Sequence, residues 1–315
     1  MGAKRRTINL ILDNKINDWI KSIEDEQLQN LVKKDAFLSG GAITSLLLDE
    51  KINDYDVYFK TEETAYQVAC YYVEQFKKNN PDKLNHYVPE VKRVELQNRF
   101  GKPEERIVVW MKSAGVIGEE QTDYSYFELT PEAPEDRFMS SLGEEPMEII
   151  ENRKKEKAKY RPIFMTDNAI TLSDKIQLII RFHGQPEDVH KSFDFAHTHN
   201  YFDYEKRDIT LHPLAMESLL SKDLKYLGSY YPIATLFRLR KFLERGWRIS
   251  AGEILKIVWQ INELDLNNKA MLRDQLIGVD LAYMTELIHK ITNTTERVDS
   301  SYIAKLIDKI FDKID

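Results

Sequence analysis

The sequence predicts an α+β protein, in which a domain with a mixed sheet is followed by an all-helical domain. Three observations carry that expectation. Short runs rich in Val, Ile, Tyr and Phe alternate with amphipathic helical patterns as far as residue 212. From Pro213 onward, Leu, Ile and aromatic residues recur at three-to-four spacing instead. The chain has 315 residues, and one hydrophobic core stops growing near ~250–300, so two packed domains are expected. The boundaries read as an N-terminal helical segment over 1–34, the mixed domain over 35–212 with an acidic insertion at about 115–160, and the helical domain over 213–315.

Taken in order, Ile16, Trp19, Ile20, Ile23, Leu28, Leu31 and Val32 predict helix over 13–33 with a break near Asp25. Ala36-Phe37-Leu38 is a short apolar segment ending at Ser39-Gly40-Gly41, and a helix over Ala42–Leu48 opens at the glycines. Tyr55, Val57, Tyr58 and Phe59 predict a strand that holds Asp54 and Asp56, and Thr64–Lys77 is a further helix. Tyr87–Leu96 and Ile107–Met111 read as strands, as do Ile163–Met165, Ala169–Leu172 and Ile176–Ile180. Pro186–Ser192 offers one or two helical turns before a strand expected over Phe193–Tyr201. From Pro213 the pattern predicts helix throughout, and no repeat of fixed period is present.

Composition excludes several classes. Cys70 stands alone, so an internal disulfide and a cysteine zinc cluster are ruled out. The longest uncharged apolar runs, such as Tyr226–Phe237, fall short of the ~18 residues a membrane helix needs. Only Ile8 to Leu12 follow the basic start, too little for a signal peptide, and Arg6 replaces the Ser or Thr of a myristoylation motif. A cytoplasmic protein with no membrane partner is expected. Its net charge of −7 is uneven: Glu119–Glu151 carries eleven carboxylates against Arg137 alone, and a basic run from Arg153 to Arg161 follows. That run reads either as a solvated helix or as an arm for phosphates.

The chemistry concentrates between Phe37 and Phe59. Gly40 and Gly41 permit close backbone approach, and they open a helix whose first amides suit an anion such as a phosphate. Ser39 either hydrogen-bonds a phosphate or caps the helix. Asp54 and Asp56, spaced i, i+2 on a strand, project from one face, with Tyr55 and Val57 on the other. Two such carboxylates repel each other unless a cation lies between them, and hard oxygen ligands suit Mg²⁺ (or Mn²⁺).

Gly40-Gly41-Ala42, Leu47-Leu48 and Asp54-x-Asp56 together resemble motif A of the DNA polymerase β-like nucleotidyltransferase superfamily, with the nearest look to the head and neck of CCA-adding enzymes and bacterial poly(A) polymerases. Thr44 and Ser45 stand where that subfamily has Arg-Asp. The resemblance implies a polymerase β-like palm, an NTP substrate, and a third carboxylate from a neighbouring strand. Asp194 in Lys191-Ser-Phe-Asp-Phe195 is the leading choice for it, with Thr198 and Asn200 on its face of the expected strand. On a second alignment Asp194 belongs to a nucleotide- and sugar-binding motif, and Gln177 falls where a strand Glu is expected. Three readings then stay open: Asp194 as third ligand, which is preferred, a site with two carboxylates, or a degenerate binder.

Tyr231–Trp247 resembles the neck helix of those enzymes. Arg240 matches a family arginine, Ala234 and Phe237 replace two others, and Arg238 and Lys241 add basic charge that reads either as a solvated helix face or as a contact to the triphosphate. The expectation is an enzyme that moves a nucleoside monophosphate from an NTP to an acceptor hydroxyl with release of pyrophosphate. An RNA (tRNA-like) 3′ end is the favoured acceptor, and a protein or small molecule is the alternative; an inactive nucleotide- or RNA-binding module is the further one. His197 and His199 read as packing or partner-contact residues, and Tyr71 and Tyr72 as core residues or stacking platforms.

Overall fold

The structure is a computed structural model that describes residues 4–79, 87–97, 103–113, 127–128, 159–165 and 168–265, with positions 271, 275, 301 and 305 beyond them. The acidic insertion, most of the basic run and nearly all of the chain after 265 lie outside the described residues. The chain divides into two compact units. The first comprises Met1–Val94, Glu105–Pro186 and Tyr201–Thr210, and the second Glu95–Glu104, Glu187–Asn200 and Leu211–Asp315.

The first unit begins with helices α1 (Arg5–Lys21) and α2 (Glu26–Asp35). α1 buries Ile8, Leu12, Ile16, Trp19 and Ile20, a stripe at three-to-four spacing that points into the core. The expected break is real, and Asp25 makes it by capping α2, its Oδ1 accepting from the amides of Gln27 (2.8 Å) and Leu28 (3.0 Å). Next come β1 (Ala36–Ser39), α3 (Gly41–Leu48), β2 (Tyr55–Phe59) and α4 (Glu62–Asn79). α4 packs against α2, β2 and the later strand β8 (Ile176–His183), burying Ala65, Val68, Ala69, Tyr72, Val73 and Phe76. Trp19 Nε1 on α1 donates to the buried Tyr72 hydroxyl at 2.7 Å, and Tyr71 accepts from the Glu24 amide, so both tyrosines are structural.

β3 (Tyr87–Gln97) and β4 (Pro103–Ser113) form a separate two-stranded sheet. The large sheet adds β5 (Phe127–Glu128), β6 (Pro162–Met165), β7 (Ala169–Leu172), β9 (Tyr201–Asp203) and β10 (Asp208–Thr210). Its order is β10-β9-β1-β2-β8-β7-β6-β5, and β2 with β8 is its parallel pair among otherwise antiparallel neighbours. The mixed sheet of the α+β class is therefore present as expected. Because side chains alternate along a strand, register sorts the faces. Ile209, Phe202, Leu38, Val57, Leu178 and Ile170 pair across six strands as one buried apolar row. The adjacent row, facing the other way, is Thr210, Tyr201, Ser39, Asp56, Gln177 and Thr171, and it is polar from end to end.

In the second unit, a short helix α5 (Pro186–His190) and a 3₁₀ turn (Ala196–Thr198) precede α6 (Pro213–Ser221), α7 (Pro232–Glu244) and α8 (Ala251–Asn262). Two sequence expectations need correction here. Phe193–Tyr201 is not a strand. Phe195 makes one isolated bridge to Tyr226, the 3₁₀ turn follows, and extended pairing starts only at Tyr201. The turn is closed by backbone bonds from the Thr198 amide to the Phe195 carbonyl (3.3 Å) and from the His199 amide to the Ala196 carbonyl (3.0 Å). The chain after Pro213 is also not helical throughout. Lys222, in the left-handed region (φ 52°), stops α6, Gly228 (φ 109°) turns the following segment, and two-residue strands β11 (Asp223–Leu224) and β12 (Arg248–Ile249) pair in parallel. α7 does start at a proline, where the missing N–H costs nothing, and ends before Gly246 (φ 77°).

Candidate functional site

The site is built where β1 gives way to α3. Ser39 is the last residue of β1, fully buried, and lies opposite Asp56 in the antiparallel register. Gly40 caps the helix with φ 94° and ψ −148°, a conformation open in practice only to glycine. Ser39 is thus not the cap. A Cβ on Gly40 would lie 3.1 Å from Oδ2 of Asp56, so the turn and the carboxylate share one small space. Gly41 differs, since a Cβ there would meet nothing within 4 Å and its φ is not positive. From Gly41 the eight residues of α3 direct their first-turn N–H groups, which have no intrahelical acceptor, out of the same turn.

Asp56 is half-buried within β2, whereas Asp54 is exposed and stands one residue before the paired strand. Tyr55 between them turns the other way, half-buried, and burial pushes its phenol pKa up. Its amide donates to the Lys175 carbonyl at 2.8 Å. The neighbour of Asp56 on β8 is Gln177, an amide at the position where the motif resemblance leads to the expectation of a strand Glu. Thr44 and Ser45, where the resembled subfamily has Arg-Asp, are buried inside α3.

Asp194 belongs to the second unit and to no strand. It is buried, its carbonyl accepts from the Leu227 amide (2.8 Å), and its Oδ2 accepts from Arg238 Nε at 2.5 Å. Arg238 on α7 is therefore engaged by a carboxylate of its own unit. Arg240 pairs with Glu244 at 3.0 Å on the exposed surface, and Lys241 is half-buried. Among the described residues, no three His, Cys, Asp or Glu side chains gather in a group that could hold a metal ion. His197 is a packing residue, enclosed by Phe242 and Trp247 with ring centroids 4.5 and 4.4 Å away; burial pushes its pKa down to about 3. His199 stacks on His190 at 4.7 Å, and burial lowers them to about 4 and about 3.

Sequence reasoning missed Lys15 and Tyr160. Lys15 Nζ lies 5.3 Å from the Tyr55 ring centroid and 5.0 Å from that of Tyr160, and burial lowers its pKa against the pull of Asp174 and Asp18. Lys15 and Tyr160 are 145 residues apart, so no local pattern could pair them.

A family model described as Gad2, Gabija anti-defense 2 family protein, matches residues 10–222. The chain belongs to that family. The matched region contains Ser39, Gly40, Gly41, Asp54, Asp56 and Asp194, and ends before α7. "Gabija anti-defense 2" of Bacillus phage SPbetaL7 is 21% identical over 292 residues, which is 92% of this chain and 52% of that protein. The chain thus spans about half the length of this curated relative. Similar solved structures include the Thermotoga maritima CCA-adding enzyme complexed with tRNA, at 12% identity over 94% of this chain and 53% of that one, TM-score 0.38. The Bacillus stearothermophilus CCA-adding enzyme in complex with CTP is 13% identical over 86% of this chain and 51% of that one, TM-score 0.32. Scores this low carry no argument, and the α+β assignment rests on the sheet itself. Among the described residues, no helix is long and apolar enough to cross a membrane.

Proposed function

We propose that this member of the Gad2 family transfers a nucleoside monophosphate from an NTP to an acceptor hydroxyl and releases pyrophosphate. The observation that carries the reading is the contact between Gly40 and Asp56. A glycine-only turn that opens a helix lies where its absent Cβ would crowd a strand carboxylate. An anion-binding turn beside a metal-binding carboxylate is the juxtaposition that a magnesium triphosphate needs.

In this reading Ser39, Gly40, Gly41 and the first turn of α3 bind the triphosphate. Asp54 and Asp56 would hold Mg²⁺ or Mn²⁺, and their donor set of hard oxygens fits that ion. When bound, such an ion neutralises phosphate charge and favours ionisation of the acceptor hydroxyl. Asp56 is fixed by sheet pairing on both sides, and Asp54, exposed at the strand's entry, faces arriving substrate. The acceptor oxygen forms a bond to the α-phosphorus as the bond to pyrophosphate breaks, and the hydroxyl proton leaves to solvent. Arg238 is held by Asp194, so Asp194 serves as its partner and the carboxylate pair works without it.

Two acceptors have support. The motif resemblance and the basic α7 favour an RNA 3′ end. Membership of a family described as anti-defense favours a protein belonging to the Gabija defence. The deciding experiment supplies α-labelled ATP, CTP, GTP and UTP with Mg²⁺ or Mn²⁺, and offers cellular RNA and cellular protein separately. Label that enters RNA and disappears in Asp54→Asn/Asp56→Asn establishes terminal addition, whereas label in protein establishes nucleotidylation. Absence of mutant-sensitive label from both pools, with free nucleosides and sugars also unlabelled, would sink the transferase reading.

A further inference from the structure

We infer that Lys15, on the N-terminal helix α1, is a positioning residue for the Asp54–Asp56 pair and acts through the turn at Asp174–Lys175; the inference rests on the nucleotidyl-transfer reading. The turn comes first. Asp174 (φ 60°) and Lys175 (φ 62°) are consecutive left-handed residues in the turn that joins β7 to β8, a conformation that hairpin turns use and whose strain at Lys175 an outside contact can offset. Lys15 Nζ supplies such a contact by donating to the Asp174 carbonyl at 2.5 Å. The ammonium is clamped there between the Tyr55 and Tyr160 rings, 3.5 Å from the Tyr160 hydroxyl. Asp18, one turn along the same face of α1, accepts from the Tyr160 hydroxyl at 2.9 Å and keeps that ring in place.

The turn in turn holds both sides of Asp54. The Lys175 carbonyl accepts from the Tyr55 amide (2.8 Å), and Lys175 Nζ donates to the Ile52 carbonyl (2.9 Å). Asp56 has strand neighbours in Ser39 and Gln177 and does not depend on this tie. Asp54 precedes the paired strand, so its distance from Asp56 is set by the segment that the turn grips. Lys15 therefore fixes the spacing of the two carboxylates from a helix that carries neither of them.

The test is Mn²⁺ binding to the full chain, read by electron paramagnetic resonance well below the unfolding temperature, with amide exchange at Tyr55 alongside. Lys15→Met is expected to raise the Mn²⁺ Kd about ten-fold, the low end of the effect of residues that orient metal ligands, and to speed Tyr55 exchange. Lys15→Arg, which keeps the charge and a donor, restores binding to within about three-fold on the same scale. Asp18→Asn loosens Tyr160 but leaves the turn's bond in place, so it lowers Tm without moving the Kd. Should Lys15→Met fail to fold, Lys175→Met removes the Ile52 tie from the exposed side and is expected to weaken binding about three-fold. Wild-type Kd in both Lys15→Met and Lys175→Met, with Asp54→Asn still deficient, overturns the positioning role and leaves the carboxylate site standing. Equal Mn²⁺ binding by wild type and Asp54→Asn/Asp56→Asn overturns the site and this inference together.

Discussion

Gly40→Ala tests the geometry of the turn most directly. Two costs add. An L side chain at φ 94°, ψ −148° occupies a region that is essentially glycine-only, which costs about 1–3 kcal/mol. The new methyl would also lie 3.1 Å from Asp56 Oδ2, closer than Cβ atoms ordinarily come to any neighbour. Asp56 sits in a strand paired on both sides, so only its carboxylate can give way, and about 1 kcal/mol more is expected for that shift. The total of about 2–4 kcal/mol corresponds to a fall in Tm of roughly 5–12 °C for a unit of this size. Gly41→Ala is the control. Its φ is not positive and its Cβ space is open, so the fold should keep its stability or gain up to about 1 kcal/mol from the helix preference of alanine. Calorimetry with and without Mg²⁺ and NTP reads both variants. Gly40→Ala should lose stability and the ligand-induced shift together, while Gly41→Ala should stay stable with a smaller shift, because its methyl enters the space where phosphate would lie. A Gly40→Ala protein within about 0.5 kcal/mol of wild type, the scatter of ordinary surface changes, would refute the reasoning.

Three further outcomes are expected. Asp25→Ala removes the acceptor of two amides at the start of α2 and should cost about 1 kcal/mol in urea unfolding, a loss that Asp25→Ser largely avoids. His197 is neutral when folded, with a pKa near 3 against the usual 6.5, so its contribution is complete above pH 6.5 and is lost as pH falls through that window toward 3. The slope is at most about 1.4 kcal/mol per pH unit, and the loss by pH 4.5 is about 2–3 kcal/mol, with His190 and His199 acting in the same direction. His197→Phe, set among Phe195, Phe242 and Trp247, should flatten that acid limb, and an unchanged limb would show that another group drives it. Arg238→Met strands the buried Asp194 carboxylate at a cost of about 2–3 kcal/mol, the lower part of the effect because Arg238 keeps some contact with water; adding Asp194→Asn should recover part of it in a double-mutant cycle.

Local chemistry was legible and long-range pairing was not. The break at Asp25, the glycines at the mouth of α3 and the carboxylates around Tyr55 each follow from a few adjacent residues whose conformational needs are specific. The strand expected over Phe193–Tyr201 failed because buried residues in a 3₁₀ turn carry the same composition as a strand. Backbone bonding distinguishes the two, and one of the bonds, from the Ala196 amide to the Lys225 carbonyl, has a partner too distant in sequence to leave a local signal. The parity argument that put Asp194, Thr198 and Asn200 on one face fell with it. The grip on the turn at Asp174–Lys175 left no signature either, because the lysine that holds it lies on the first helix, 159 residues away.

Gln177 bears most directly on how the site can work. On the polar row of the sheet its neighbour is Asp56, and it brings an amide where a carboxylate would complete a trio. Two like charges about 4 Å apart at a part-exposed position repel by about 4 kcal/mol, and a third carboxylate would add two more such terms. A trio is tolerable chiefly when cations fill it, whereas a pair with one exposed member, as Asp54 is, carries a single repulsion that water screens. In the proposed site the amide therefore lowers the repulsion among neighbouring carboxylates and, by the same arithmetic, their pull on a cation. That exchange makes the remaining ligand geometry decisive: with two carboxylates, affinity rests on how well Asp54 is held against Asp56. In the proposed site that need falls to the tie from Lys15 to the turn beside Tyr55, and to a glycine that leaves Asp56 its room.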